Sequence, residues 1–543
     1  MFSNKKLAVA VSGAVLLMAG QASLADSTLD IVDALVSKGV LTEEEGKLIT
    51  KGAKSQKDAT PIIKEKDGAF TLESPNGRNS IQMGGRIHFD YRDSTTKPLE
   101  RGPAGVANND TDSKSLADSM EIRRARLAFK GQFAKDFDYL IQGNLIGGHG
   151  SNIVDEAYFG YKRYEQASLR FGKFKQPFGL EQLTSSNNID FMERSYGDQL
   201  VPAKKMGAML YGSPVTGTTY AVSTYQKNDD PNDIKSDGLS YAGRLTANFS
   251  EIIGDKDTVL HVGIAGRDES WSIVPTVSGN TSGTLSTGTP TRGTVFSFRS
   301  GARGLANAYR AQIVGGTPSS LQPAYAGTTT NIPSYGDASP TTATVNSRAL
   351  GLEAIGAYGP YKLQGEYART SFDAIDGSNS ANELKADVDT WYAEALWNVT
   401  GEKFADAYKK GAFGAIKPKN DFDIDKGSWG AWQLGLRIDA FGVSNANIQG
   451  STNSRFQGAT SKSGGSADTF NLNGGANSNG GAKSYTAGIN FIANPNVRVM
   501  LNYTYTKYDY TFAPIDVATN STLASRNEIS DEKIMAVRTQ LSF

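Results

Sequence analysis

From residue 70 onward, apolar and polar residues alternate with a period of two. The clearest run is Ile81 to Asp93. Ile81, Met83, Gly85, Ile87, Phe89 and Tyr91 share one face; Gln82, Gly84, Arg86, His88, Asp90 and Arg92 share the other. The chain's last residues repeat the pattern. Met535, Val537, Thr539, Leu541 and Phe543 oppose Ala536, Arg538, Gln540 and Ser542. A strand with one apolar and one polar face that stops on an aromatic suits an outer-membrane β-barrel. Lipid takes the apolar face, the lumen takes the polar face, and the aromatic sits at the membrane interface. The competing reading is a half-buried strand of a soluble sandwich.

Comparable alternation covers 122–133, 137–146, 239–249, 258–267, 350–358, 391–399, 430–440, 484–492 and 497–508. Weaker runs lie at 156–163, 167–174, 205–212, 218–226 and 361–369. Together they predict an all-β, transmembrane antiparallel β-barrel of about 16 strands over residues 70–543, wide enough for an aqueous channel. Val295 to Arg299 is a candidate for one further strand. Two stretches do not alternate. Residues 271–348 are rich in Ser, Thr, Gly and Pro, and 444–483 in Gly, Ser and Asn. Both read as long extracellular loops of solvated chain. Asn494-Pro495-Asn496 reads as a tight turn.

The period ahead of the barrel is different. Lys5 and Lys6, the apolar run Leu7 to Ala19 and the small residues around Ala25 read as a signal peptide over 1–25. Residues 28–52 show a helical stripe of Leu29, Val32, Leu35 and Val36, with Gly39 as a C-cap. Thr42-Glu43-Glu44-Glu45 is a capping box that opens a second helix bearing Leu48 and Ile49. Residues 53–68 read as a linker, so 26–69 is expected as a small helical periplasmic segment.

Composition narrows the class. There are 23 Tyr and 24 Phe, yet mean hydropathy is negative, as expected of a wall that alternates. The absence of cysteine excludes a disulfide scaffold and thiolate metal sites. No His/Asp spacing suggests a metal. Lys plus Arg equals Asp plus Glu at 56 each, so no anionic partner such as nucleic acid is implied. Selectivity must come from where charges sit. Strand alternation sends Arg86, Arg92, Arg124, Arg126, Lys130, Lys162, Arg244, Arg267, Arg437, Arg498 and Arg538 to the lumen. Inward acids are fewer: Asp90, Glu156, Glu353, Glu394 and Asp439. Charged rings of this kind select ions, and arginine meets oxyanions two oxygens at a time. The competing reading is that lumen Arg and Glu simply pair across the wall. Three histidines, His88, His149 and His261, come without a serine motif, which weighs against a hydrolase. An adhesin working through its loops is a third class.

Three stretches carry a family resemblance: Met120-Glu121-Ile122-Arg123-Arg124-Ala125-Arg126, Asp155-Glu156-Ala157-Tyr158, and Gly172-Lys173-Phe174-Lys175-Gln176-Pro177-Phe178-Gly179-Leu180-Glu181. Thr184-Ser185-Ser186, Glu193-Arg194, Gly430-Ala431-Trp432 and Asn494-Pro495-Asn496-Val497-Arg498 continue it. In order and spacing they resemble the phosphate-selective porin O and P family. The resemblance implies a homotrimer of 16-stranded barrels in the outer membrane of a Gram-negative bacterium, with an inward-folded third loop and passive anion diffusion without cofactor. Phe543 is expected to engage the barrel-assembly machinery. The segment Gln176 to Leu200 fits the constriction loop. Arg86, Arg123, Arg124, Arg126, Lys173, Lys175 and Arg194, with Ser185 and Ser186, are the expected anion site, tempered by Glu156. By resemblance, phosphate-selective members carry a lysine after the Thr-Ser-Ser run. Asn187 stands there, which points to another oxyanion or to small organic acids. The alternative is a general diffusion porin.

Overall fold

A computed structural model describes residues 25–66, 69–94, 99–100, 119–146, 153–227, 238–273, 292–299, 307–314, 343–376, 380, 383–449, 456–459, 479–512 and 527–543. The expected signal peptide lies outside them except for Ala25, as does His149. Sixteen strands make up the barrel wall: β1 Ser80–Ser94, β2 Ser119–Phe133, β3 Phe137–Asn144, β4 Val154–Tyr164, β5 Ala167–Lys175, β6 Lys204–Gly212, β7 Thr218–Gln226 and β8 Leu239–Asn248; then β9 Thr258–Ile273, β10 Ala343–Tyr358, β11 Tyr361–Asp376, β12 Glu383–Asn398, β13 Ala431–Gln449, β14 Gly480–Ile492, β15 Val497–Phe512 and β16 Asn527–Ser542. The fold is a sixteen-stranded antiparallel β-barrel.

The described chain clusters into two units. The first holds the N-terminal residues through Gly85, residues 126–163 and Phe543. Helix α1 (Ala25–Ser37) packs on α2 (Glu43–Ala59). The Thr42 backbone N–H donates to Glu45 at 2.9 Å and the Glu45 N–H donates to the Thr42 hydroxyl at 3.2 Å, so the capping box forms as the sequence predicts. Gly39 takes φ 69° behind α1. Across the expected linker of residues 53–68, the described residues take regular structure. Helix α2 runs on to Ala59, and Ile62–Lys66 pairs with Ala69–Glu73, which pairs in turn with β1. Leu48 and Ile49 are exposed rather than packed. Strands β2, β3 and β4 form an antiparallel meander in this unit. Phe543 exchanges backbone hydrogen bonds with Gly85 at 2.7 and 3.1 Å, and its ring lies where a Gly85 side chain would begin, 2.6 Å from an ideal Cβ.

In the second unit each strand from β5 to β16 pairs with the next, and β16 pairs with β1 from Arg86 to Ser94. Last strand meets first, so β16 is paired on both sides. The faces sort as the alternation predicts. Ile87, Phe89, Leu260, Leu350, Leu363, Leu436 and Leu541 point outward and are exposed, while His88, Asp90, His261 and Arg538 are fully buried. Strands β9 to β16 run 13 to 19 residues, longer than the apolar runs in the sequence. Their extra length carries outward polar pairs such as Arg348 with Asp268 and Arg369 with Asp387. Such pairs belong beyond the hydrocarbon, where an apolar face has no advantage.

Both long loops differ from expectation. Arg292–Arg299 is not a further wall strand. It pairs with Asn307–Val314, which pairs with Phe456–Ala459 from the second loop, in a separate three-stranded sheet. Phe298 stacks on Phe441 of β13 at 4.0 Å, and Phe296 stacks on Phe372 of β11 at 4.4 Å. Val345, Ala374, Leu384 and Val388 complete this core on the inward faces of β10 to β12. Apolar inward positions explain the departure: a bare aliphatic patch in an aqueous lumen recruits an apolar cover. A second segment, 399–430 between β12 and β13, is far longer than the other turns at its end of the barrel. Its Phe404, Ala407 and Phe413 pack on inward Val259, Ile355 and Leu396.

Phe298→Ala is expected to weaken seating of the paired strands Arg292–Arg299 and Asn307–Val314 by about 3–5 kcal/mol. Limited proteolysis should then cut within those strands while the barrel keeps its heat-modifiable gel mobility. Unchanged protease resistance would contradict this packing.

Candidate functional site

The chain between β5 and β6, residues 176–203, belongs to the second unit and is held against its wall strands. Gly179 turns it with φ 79°, and Leu180–Leu183 follow as one helical turn. That turn is capped by the wall. The Glu366 carboxylate of β11 accepts the Leu180 and Glu181 N–H groups, both at 2.7 Å. Lys175 Nζ donates to the carbonyls of Gln182, Leu183 and Thr184 at 2.5, 3.2 and 3.1 Å. Arg194 donates to the carbonyls of Glu181 and Thr184 at 2.9 and 3.0 Å. The orphan amides and carbonyls of a short helix are thereby satisfied.

Further along, the wall holds the loop by its backbone. Arg498 and Gln540 donate to the Asn187 carbonyl at 3.4 and 3.0 Å, and Arg498 also to Ile189 at 2.9 Å. Arg538 donates to Met192 at 2.5 Å and Arg437 to Glu193 at 2.9 Å. The Phe191 ring lies 3.0 Å from where a Cβ would stand on Gly435 of β13 and on Gly488 of β14, so glycine makes its seat. Arg437 lies over the same ring at 4.8 Å.

Glu193 is the electrostatic hub. Its carboxylate meets Arg92 at 3.0 Å, Arg538 at 3.3 Å and Arg123 at 3.4 Å. Burial works against its charge, but Arg123, Arg538, Arg92 and Arg124 outweigh burial and hold its pKa at about 2. Asp90 shares the load, bonding Arg538 through both oxygens at 2.7 Å and Arg92 at 2.7 Å. Glu181 behaves oppositely. Burial raises it to about 7 despite Arg437 at 3.3 Å and despite Ser195, which donates its N–H and hydroxyl at 2.9 and 2.6 Å.

Several expected site residues do converge on this loop. Arg86 donates to Ser185 at 3.4 Å and Ser186 at 2.8 Å. Arg124 lies 3.4 Å from His88 Nδ1, and His88 Nε2 lies 3.1 Å from Asn187 Oδ1. Arg92, Arg123, Arg437, Arg498 and Arg538 join them. The rest lie elsewhere or are already engaged. Lys173 shares a face with Leu169 and Phe171 and pairs opposite exposed Met206, so it lies on the outward face of β5. Lys175 and Arg194 spend their donors on loop carbonyls. Arg244 is held by Glu353 at 2.5 and 3.0 Å, and Arg267 is paired with Glu269. Within the first unit, Arg126 pairs with Asp155 at 3.2 Å, Glu156 sits opposite Gln142 in register, and Lys130 and Lys162 are exposed. The residue pattern did not single out Glu193, His88 or Glu366 for the site. Lys362 was missed as well; it is buried against Asp190 at 2.6 Å and the Phe413 ring at 4.4 Å. Glu366 and Lys362 lie in one of the weaker alternating runs, where polar Gln364 and Glu366 were the available signal. The described histidines meet Asn187 and Arg124 (His88) and Glu353 and Tyr408 (His261, 2.7 and 2.8 Å), with no serine or threonine hydroxyl among those contacts.

A closed antiparallel wall, apolar outside and charged inside, with a loop held on its inner face, defines an outer-membrane porin. A family model described as Phosphate-selective porin O and P matches residues 81–293 and 301–543, and the chain belongs to that family. Porin O of Pseudomonas aeruginosa is 25% identical over 468 residues, covering 83% of this chain and 88% of its own. Among solved structures, OmpT of Vibrio cholerae aligns with a TM-score of 0.42 and 10% identity, over 86% of this chain and 98% of its own. An anion-selective porin from Comamonas acidovorans aligns with a TM-score of 0.42 and 10% identity, over 86% and 100%.

Glu181 generates a pH prediction. A carboxyl whose folded pKa lies above its ordinary value binds its proton more tightly in the seated loop. Its contribution to seating is therefore full below about pH 4.5 and is lost as pH rises through about 7. Protonation also adds one positive charge to the lumen. Lowering pH from about 8 to about 6 should raise the chloride-to-potassium permeability ratio. Glu181→Gln should flatten that step in reversal-potential measurements; a step of equal size in the variant would contradict the assignment.

Proposed function

We propose that this porin is a passive, anion-selective pore for phosphate or related small oxyanions, with the loop of residues 176–203 as its constriction. The observation that carries this reading is the charge around Glu193. Arg86, Arg92, Arg123, Arg124 and Arg538 crowd one side of the loop against Asp90, Glu121 and Glu193, leaving an excess of guanidinium beside the Ser185 and Ser186 hydroxyls. An oxyanion in transit would find bidentate donors and hydroxyls together. The carboxylates keep binding weak enough for release. Family membership and the likeness to Porin O support the same reading. A homotrimer accords with it and is tested by a heat-sensitive oligomer on gels and by native mass; a strictly monomeric pore would refute it.

A second reading, a general diffusion porin, is favoured by two observations. Most inward arginines already hold a carboxylate or a carbonyl, and Asn187 stands where the family resemblance places a lysine.

Bilayer reversal potentials in a salt gradient separate the two. The anion reading predicts chloride over potassium. Arg124→Glu should lower that ratio at least fivefold, because two charges changed about 8 Å from a permeant ion at the dielectric of water disfavour chloride and favour potassium by about 1 kcal/mol each. Arg348→Glu, on the exposed outer face, should leave it unchanged. Inorganic phosphate should block chloride current weakly, and Asn187→Lys should strengthen that block. Cation selectivity of the wild type would discard the anion reading and leave the general porin.

A further inference from the structure

Arg124 differs from most inward arginines. Arg92, Arg437 and Arg538 each touch at least one carboxylate within hydrogen-bond reach. The hydrogen bond described for Arg124 runs instead to His88, a fully buried ring on the neighbouring strand β1. The other ring nitrogen faces the Asn187 amide oxygen at 3.1 Å. One protonation state satisfies both contacts. Arg124 can only donate, so His88 Nδ1 must be bare and accept. The Asn187 oxygen can only accept, so Nε2 must carry the hydrogen. Turning the amide over would put a donor on Nε2, which would move the ring hydrogen to Nδ1 and set it against the guanidinium.

We propose that His88, as a neutral Nε2–H ring, is a positioning residue of the anion pathway: it orients Arg124 through an uncharged acceptor and ties that arginine to Asn187 of the loop. The charged groups around the ring are Arg86 and Asp90 on its own strand, Arg124 on β2 and Arg538 on β16, while the loop presents the neutral Asn187. A carboxylate in place of His88 would orient Arg124 equally well but would cancel its charge. A neutral acceptor fixes the guanidinium and leaves its charge to the pore. Asn187 gains a role on the same ground. Its side chain holds the ring while its carbonyl is held by Arg498 and Gln540, so Arg124 is referenced to the seated loop.

This inference rests on the anion-selective reading, and the test separates the two. Reversal potentials are measured in a potassium chloride gradient for the full-length wild type, His88→Gln and His88→Leu reconstituted in planar bilayers. Glutamine can accept from Arg124 and donate to Asn187, so His88→Gln should keep the chloride preference within about twofold of wild type. Leucine does neither, and His88→Leu should lose about threefold or more. A cation-selective wild type defeats the functional reading itself. An anion-selective wild type matched by His88→Leu overturns the role of His88 alone, as does loss of preference in His88→Gln. Nitrogen-15 NMR of histidine-labelled protein reads the tautomer directly, with the His88 signal assigned by its absence from His88→Gln, so a leucine variant that fails to insert leaves the test intact. A bare Nδ1 and a protonated Nε2 from about pH 5 to about pH 8 are expected. A charged ring or an Nδ1–H tautomer in that range would overturn the proposal.

Discussion

A half-buried carboxylate, Glu193, sits among Arg92, Arg123 and Arg538 with Asp90 buried beside it, and the seat of the loop is organised around that contact. An unpaired charge inside a protein costs several kcal/mol, and guanidiniums crowded without a counter-charge repel one another. Glu193 therefore does two things at once. It makes a cluster of wall arginines tolerable, and it fastens the loop that carries it to three strands, β1, β2 and β16. Removing one partner of such a pair typically costs about 3–5 kcal/mol, because the survivors stay buried. The loop cannot shift without stranding either the acid or the bases.

The remaining seat is built from unlike parts that share one logic. Wall arginines bind loop carbonyls, Glu366 binds loop amides, and Phe191 uses the space above two glycines. Every backbone group so held would otherwise need water, and ordered water in a narrow lumen competes with the permeant ion. The cost is that much of the inward positive charge is already engaged. What remains for an anion is local: the edge of the Glu193 cluster where Arg86 meets two hydroxyls and Arg124 meets a neutral ring.

The wall was legible in the sequence because lipid and lumen impose a strict period of two on each strand. Arg86 and Arg538 could be placed inward from their neighbours alone, and the Thr42–Glu45 box could be read to the atom. The period carries no information about what fills the lumen. Ser/Thr/Gly-rich composition concealed the packing of Phe296 and Phe298, because a few aromatics suffice when a ready-made apolar patch awaits them. Lys173 was misplaced because a cation beside a loop looks like a ligand, whereas its parity with Leu169 and Phe171 sends it outward. Partnerships were the least legible feature. Glu193 and Arg538 are separated by 345 residues, and nothing local to either announces the other.

The most direct test of this account is the single-channel conductance of Glu193→Gln beside the wild type, in the same bilayer and salt. If the Glu193 contact seats the constricting loop, the variant should show larger and noisier openings, with a chloride preference raised by the guanidiniums it no longer neutralises. Openings of wild-type size, steadiness and selectivity would contradict the account.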